Sequence, residues 1–264
     1  MPRLYAVVPE IAMTTFHSLL VNTHILFGAV ALILFWVPVT TRKGSPLHVR
    51  AGRYYSTVMY AVSATAFVAS IMVLMDPIGI RRPGETIVGE EAAKLAMSFR
   101  LGALFLLMLS ILVTASVRHG LLALRERKVP GVLKTPTHRA LLVTLGVAGV
   151  GIGYLGVAYG LILLMIFSAI AIIASVRMFR ETRPERLSAS ERTIAHLGGL
   201  IGSGIGAYTA FFAFGGARFM AEFLPGQWQA LAWIIAPVIG TIAVNRMNRR
   251  YRRPAPRQQS VSAH

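Results

Sequence analysis

The chain has 264 residues, 55% of them hydrophobic and 14% charged, with a mean hydropathy of +0.62. Those values exclude an ordinary soluble domain and fit a single polytopic membrane domain. Cysteine is absent, which removes disulfides, thiolate metal sites, iron–sulfur clusters and thiol catalysis, and the net charge of +17 raises nucleic acid as a partner until the placement of the basic residues is considered.

The opening stretch, MPRLYAVVPEIAMTTF, lacks a basic region followed by a short apolar core and a small-residue cleavage site. Its apolar character continues to Val39, so a first span is expected at 17–39, retained as an uncleaved anchor. His17 and His24 lie on this helix, with Gly28 one turn beyond His24. His17 reads as an interface residue, whereas His24 lies about two turns into the span and is a candidate ligand. A basic connector, RKGSPLHVRAGRYY, follows with Arg42, Lys43, His48, Arg50 and Arg53.

The second span is expected at 54–75. A long loop at 76–97 comes next, and its ETIVGEEAAKLAMSF stretch is expected as a short surface helix. The third span covers 98–117 and runs into a segment holding Arg118, His119, Arg125, Arg127, Lys128, Lys134, His138 and Arg139. His119, beside Arg118 at a helix end, reads as a headgroup neighbour.

The uncharged stretch at 140–176 is too long for one crossing. As a single helix it would extend about 55 Å, so a break is expected near Tyr159 and Gly160. Arg177, Arg180, Arg183, Arg186 and Arg192 follow, then spans at 193–215 and 227–245 and the tail RRYRRPAPRQQSVSAH. The domain expectation is therefore a single transmembrane helical domain over 1–250 and a basic, disordered tail over 251–264.

The four basic segments hold 21 of the 27 Lys and Arg residues. With seven spans all four fall on one side, whereas six would divide them. The expected fold is an all-α, seven-span bundle of the bacterial inner membrane, N-terminus outside and C-terminus cytoplasmic. The charge then reads as topology, with anionic headgroups as partners and nucleic acid not.

No Asp, Glu, Lys or Arg lies in the interior of an expected span, which counts against an acid-driven carrier. The last expected span has no lysine for a retinal Schiff base. No two histidines stand three or four residues apart, which removes HExxH-type zinc sites, and the HxxH-type boxes of membrane di-iron oxygenases are missing. No Ser-His-Asp set is visible, and GVGIGYLG lies inside an apolar span, not in a nucleotide-binding turn.

What remains is histidine. His48, His119, His138 and His196 are expected at one depth, near the cytoplasmic ends of helices. Imidazole ligates haem iron and carries protons, and two ligands on facing helices suffice for a b-type haem, so His196 with His138 or His48 is the candidate pair. His24 and His17 share one helix too far apart to sandwich a second iron. Arg53 and Arg139 are candidates for anion or headgroup contact. Glycines at 149/153, 156/160 and 198/202/206 form stripes for close helix packing, for an oligomer contact, or for a planar cofactor.

The stretch THILFGAVALILFWVPVTTRKGSPLHVRAGRYY, with RHGLLALRERK and THRALL further on, resembles a bacterial family of predicted membrane proteins, domain of unknown function number 2306. The resemblance covers about the first 145 residues and falls on His24, Gly28, His48, Gly52, Arg53, His138 and Arg139. It implies a membrane protein and brings no activity with it. Two functions remain: a cofactor-binding or redox-linked protein using haem b or a quinone, and a non-catalytic module acting as a small-molecule carrier or assembly partner.

Overall fold

In the computed structural model, residues 2–183, 187–212, 238–240, 242, 245, 246 and 249 are described, with side chains from residue 12 onward. The described residues form seven helices: α1 (Pro2–Thr40), α2 (Pro46–Met75), α3 (Pro77–Arg81), α4 (Gly89–Arg125), α5 (Pro136–Ala158), α6 (Ile162–Glu181) and α7 (Ala189–Ala210). A short 3-10 turn, Val132–Lys134, precedes α5. Five of them, α1, α2, α4, α5 and α6, are long and apolar enough to cross a bilayer, which marks a multi-pass membrane protein.

Local chemistry sets the ends. Ser45 accepts from the His48 backbone N–H, and Pro46 opens α2, where its missing N–H costs nothing. Ser188 and Glu191 close a capping box at the start of α7. The long apolar stretch does break where expected: α5 ends at Ala158, Gly160 adopts φ +66°, and the Leu161 N–H returns to the Gly156 carbonyl. Only glycine takes that left-handed conformation without strain, so the chain reverses there into α6.

The helices run past the apolar windows because those windows register hydrocarbon, whereas capped, hydrogen-bonded backbone continues into water. Residues 89–98 accordingly form the first turns of α4, not a separate surface helix, with Glu90 and Glu91 at its positive end. The expected span 227–245, apart from a few positions, and the tail at 251–264 lie outside the described residues.

Helix α4 is the centre. On one side Phe105, Met108 and Ala115 pack with Leu142, Leu145 and Ile152 of α5 and Leu164, Ala171 and Met178 of α6. On the other, Val117 packs with Tyr55 and Met59 of α2 and Ala31 of α1. At the end bearing the arginine-rich connectors, Leu122, Leu133 and Leu187 form a small cluster that seats the 126–135 connector against Leu187, just before α7. We refer to this as the basic end.

Candidate functional site

The basic end gathers four histidines. His119 on α4 is fully buried, and its Nε2 lies 2.7 Å from Glu181 Oε2 at the last residue of α6. Its Nδ1 lies 3.0 Å from Nε2 of His138, in the first turn of α5, and the two rings stack with centroids 5.3 Å apart. His138 is also fully buried, and its Nδ1 has no hydrogen-bond partner among the described residues. The Glu181 side chain is 23% exposed and so reaches the surface.

The three side chains form one directional chain. With Glu181 ionised, His119 donates from Nε2, which leaves Nδ1 to accept the Nε2 proton of His138. A proton arriving at His138 Nδ1 can therefore leave at Glu181 by two transfers with no ring turning. Packing holds the chain in place, since α5 and α6 pack against each other while α4 touches both.

Arginines surround the chain without entering it. Arg177 Nε is 3.9 Å from the other Glu181 oxygen, Arg118 donates to Thr137 Oγ1 at 3.3 Å, and Arg139 donates to the Thr182 carbonyl at 3.2 Å. Glu126, buried in the connector, accepts from the Gly131 and Leu133 N–H groups and so orders the 126–135 turn that delivers His138.

His48 and His196 form the second half of the layer. The His196 Nδ1–H donates to the Gly120 carbonyl at 3.0 Å, one residue from His119. The His48 Nδ1–H donates to the Pro38 carbonyl at 3.0 Å, and Lys43 Nζ reaches the same oxygen at 2.8 Å. His48 and Lys43 are close enough to His196 to act electrostatically on it. Partial burial holds the Lys43 ammonium below the usual lysine range. Main-chain acceptors at Nδ1 fix the tautomer of both imidazoles, leaving Nε2 free to bind a metal or accept a proton.

The structure brings His48, His119, His138 and His196 to the same end of the bundle. His24 stands apart in the apolar part of α1, donating from Nδ1 to the Val62 carbonyl at 3.0 Å, with Thr65 Oγ1 at 3.3 Å. Arg53 is exposed on α2 and is not brought into the layer. His119 is corrected from headgroup neighbour to the middle member of the chain, and His17 is buried against its protein neighbours.

Glu181 was missed because it lies five residues past the apolar window at 140–176. The buried stripe Ser168, Ala171, Ser175 and Met178 continues to buried Thr182, and extending that period would have carried the helix through Glu181. Of the stripe glycines, Gly149, Gly153, Gly156 and Gly198 meet protein. A Cβ at Gly149 would press on Ile172 and Ala171, one at Gly156 on Met165, and one at Gly199 on the Ser116 carbonyl. Gly199 therefore serves α4–α7 contact.

Comparison of the chain with family models, curated proteins and solved structures finds no match. Among the described residues no three His, Cys, Asp or Glu side chains converge as a metal site.

Proposed function

We infer that the chain is a seven-span protein of the bacterial inner membrane, N-terminus outside, whose cytoplasmic end exchanges a proton with a redox-active ligand of the bilayer, a quinone. The observation that carries this reading is the buried chain from Glu181 through His119 to His138. Quinol oxidation releases protons along with electrons, and a buried imidazole joined to a carboxylate at the surface is a means of carrying them away. The chain stays at one end of the bundle, in keeping with the lack of Asp, Glu, Lys and Arg in the interior of the expected spans. It fits local proton release and not pumping across the membrane.

A second reading, one b-type haem, draws support from the free Nε2 atoms of His48 and His196. His138 drops out as a haem ligand, because His119 occupies its Nε2 and the ring is fully buried. The alternative of a non-catalytic carrier or assembly module gains from the glycine stripes being used for packing within the chain. Self-association would then fall to Gly202 and Gly206, at whose Cβ positions no described atom comes within 4 Å. Anionic headgroups would meet Arg53 and the other basic-end arginines, and the resemblance to the family of unknown function fits each of these readings.

Protein purified from its own membranes in mild detergent separates them by solvent extraction for quinone and a reduced-minus-oxidised spectrum. Stoichiometric quinone in the wild type, depleted in His138→Leu, is expected. A Soret band lost in His196→Leu would move the assignment to haem, and finding neither group would leave the module.

A further inference from the structure

At the end opposite the arginine connectors, a cleft of about 740 Å³ opens between α4 and the turn joining α5 to α6. Its walls run from Glu90 to Phe105 along α4, about 22 Å at the helical rise, and Tyr159, Leu161 and Leu164 close the other side. That length matches one leaflet, taken as half of a bilayer roughly 40–45 Å thick with its headgroups. The floor is apolar, with Leu101, Phe105 and Leu164 buried. At Gly102 no described atom comes within 4 Å of a Cβ position, so the cleft reaches the α4 backbone.

Polarity changes along its length. Charge sits only at the mouth, where Lys94 Nζ and Glu90 Oε1 pair at 2.7 Å with both side chains largely exposed. An exposed pair of this kind contributes little and opens at little cost. A headgroup bearing a phosphate and a primary ammonium would complement it, phosphate to Lys94 and ammonium to Glu90. An anionic headgroup meets repulsion from Glu90, and a quaternary ammonium has no N–H to donate.

We propose that this cleft binds one phosphatidylethanolamine, an acyl chain lying over Gly102 and the headgroup spanning Glu90 and Lys94. The proposal rests on the membrane-spanning reading and not on the histidine chain, so His119→Leu serves as a control that leaves lipid retention unchanged. Wild-type protein, delipidated stepwise in detergent and exposed to equimolar phosphatidylethanolamine, phosphatidylglycerol and phosphatidylcholine, is read by native mass spectrometry. One phosphatidylethanolamine is expected to persist after the other two are lost.

Gly102→Leu puts a side chain on the floor, where a Cβ meets no described atom within 4 Å, and should lower retention about tenfold, the equivalent of roughly two methylenes. Glu90→Lys combined with Lys94→Glu should keep phosphatidylethanolamine, whereas Glu90→Lys alone should shift preference to phosphatidylglycerol. Equal retention of all three lipids by the wild type, or undiminished retention in folded Gly102→Leu, would mean annular lipid only and overturn the proposal. The wild-type selectivity decides the matter even if the variants fail to fold.

Discussion

Glu181 is the one residue of the histidine chain with access to water, and its charge is what orients the other two. Replacing it with Leu leaves the His119 Nε2–H buried without an acceptor, a loss of about 1–3 kcal/mol. Glu181→Gln keeps an oxygen for that N–H and gives up only the charge assistance, so its cost is expected near the lower end of that range. Thermal unfolding in detergent should therefore rank wild type above Glu181→Gln and Glu181→Gln above Glu181→Leu. Equal midpoints for all three would mean that the 2.7 Å contact does not order His119. At this scale the sequence revealed which residue types could act, because imidazole among apolar residues is conspicuous. It did not reveal pairing. His119 and His138 are 19 residues apart and Glu181 is 62 from His119, and those separations acquire meaning only after α4, α5 and α6 are packed.

The α5–α6 pair shows how small residues set the distance on which that pairing depends. Ser168 and Ser175 of α6 donate to the Gly149 and Leu142 carbonyls of α5, each at 2.7 Å, and both serines sit against the glycine positions at 146 and 153. Such contacts need close backbones, which glycine permits. Gly149→Leu should force the helices apart at a cost of about 1–3 kcal/mol. Gly151, exposed on the same helix with nothing within 4 Å, should accept alanine with a gain of about 0.5–1 kcal/mol from helix propensity. Opposite shifts in unfolding midpoint are the expected result, and a shared direction would count against glycine packing as the cause. The long apolar helices α1, α2, α4, α5 and α6 and the reversal near Gly160 were legible in the sequence, since apolar length and a turn glycine are local signals. Helix ends were less so: α4 runs from Gly89 to Arg125, well past the window at 98–117, because α4's contacts with α2, α3, α5, α6 and α7 extend it beyond hydrocarbon.

Across the whole molecule, the placement of charge and the placement of helices can be tested against each other. The described residues bring the connectors 41–45 and 126–135 and the positions Thr182 and Leu187 to one end: Leu187 packs with Leu122 and Leu133, Arg139 reaches Thr182, and Lys43 acts on His196. Positive charge resists translocation, so that end is expected in the cytoplasm. The tail carrying Arg252, Arg253 and Arg257 joins it only if two further crossings follow the α6–α7 connector, and that requirement rests on the apolar segments at 193–215 and 227–245. Because the chain has no cysteine, single cysteines report cleanly. Gly44→Cys, Lys128→Cys and Ser262→Cys should react with an impermeant maleimide only in inverted vesicles, and Glu85→Cys only in intact cells. Labelling of position 262 from outside, with 44 and 128 inside, would remove one crossing while leaving the histidine layer intact. Labelling of 44 and 128 from opposite sides would break the layer itself, because His48 and His119 could not then share a depth.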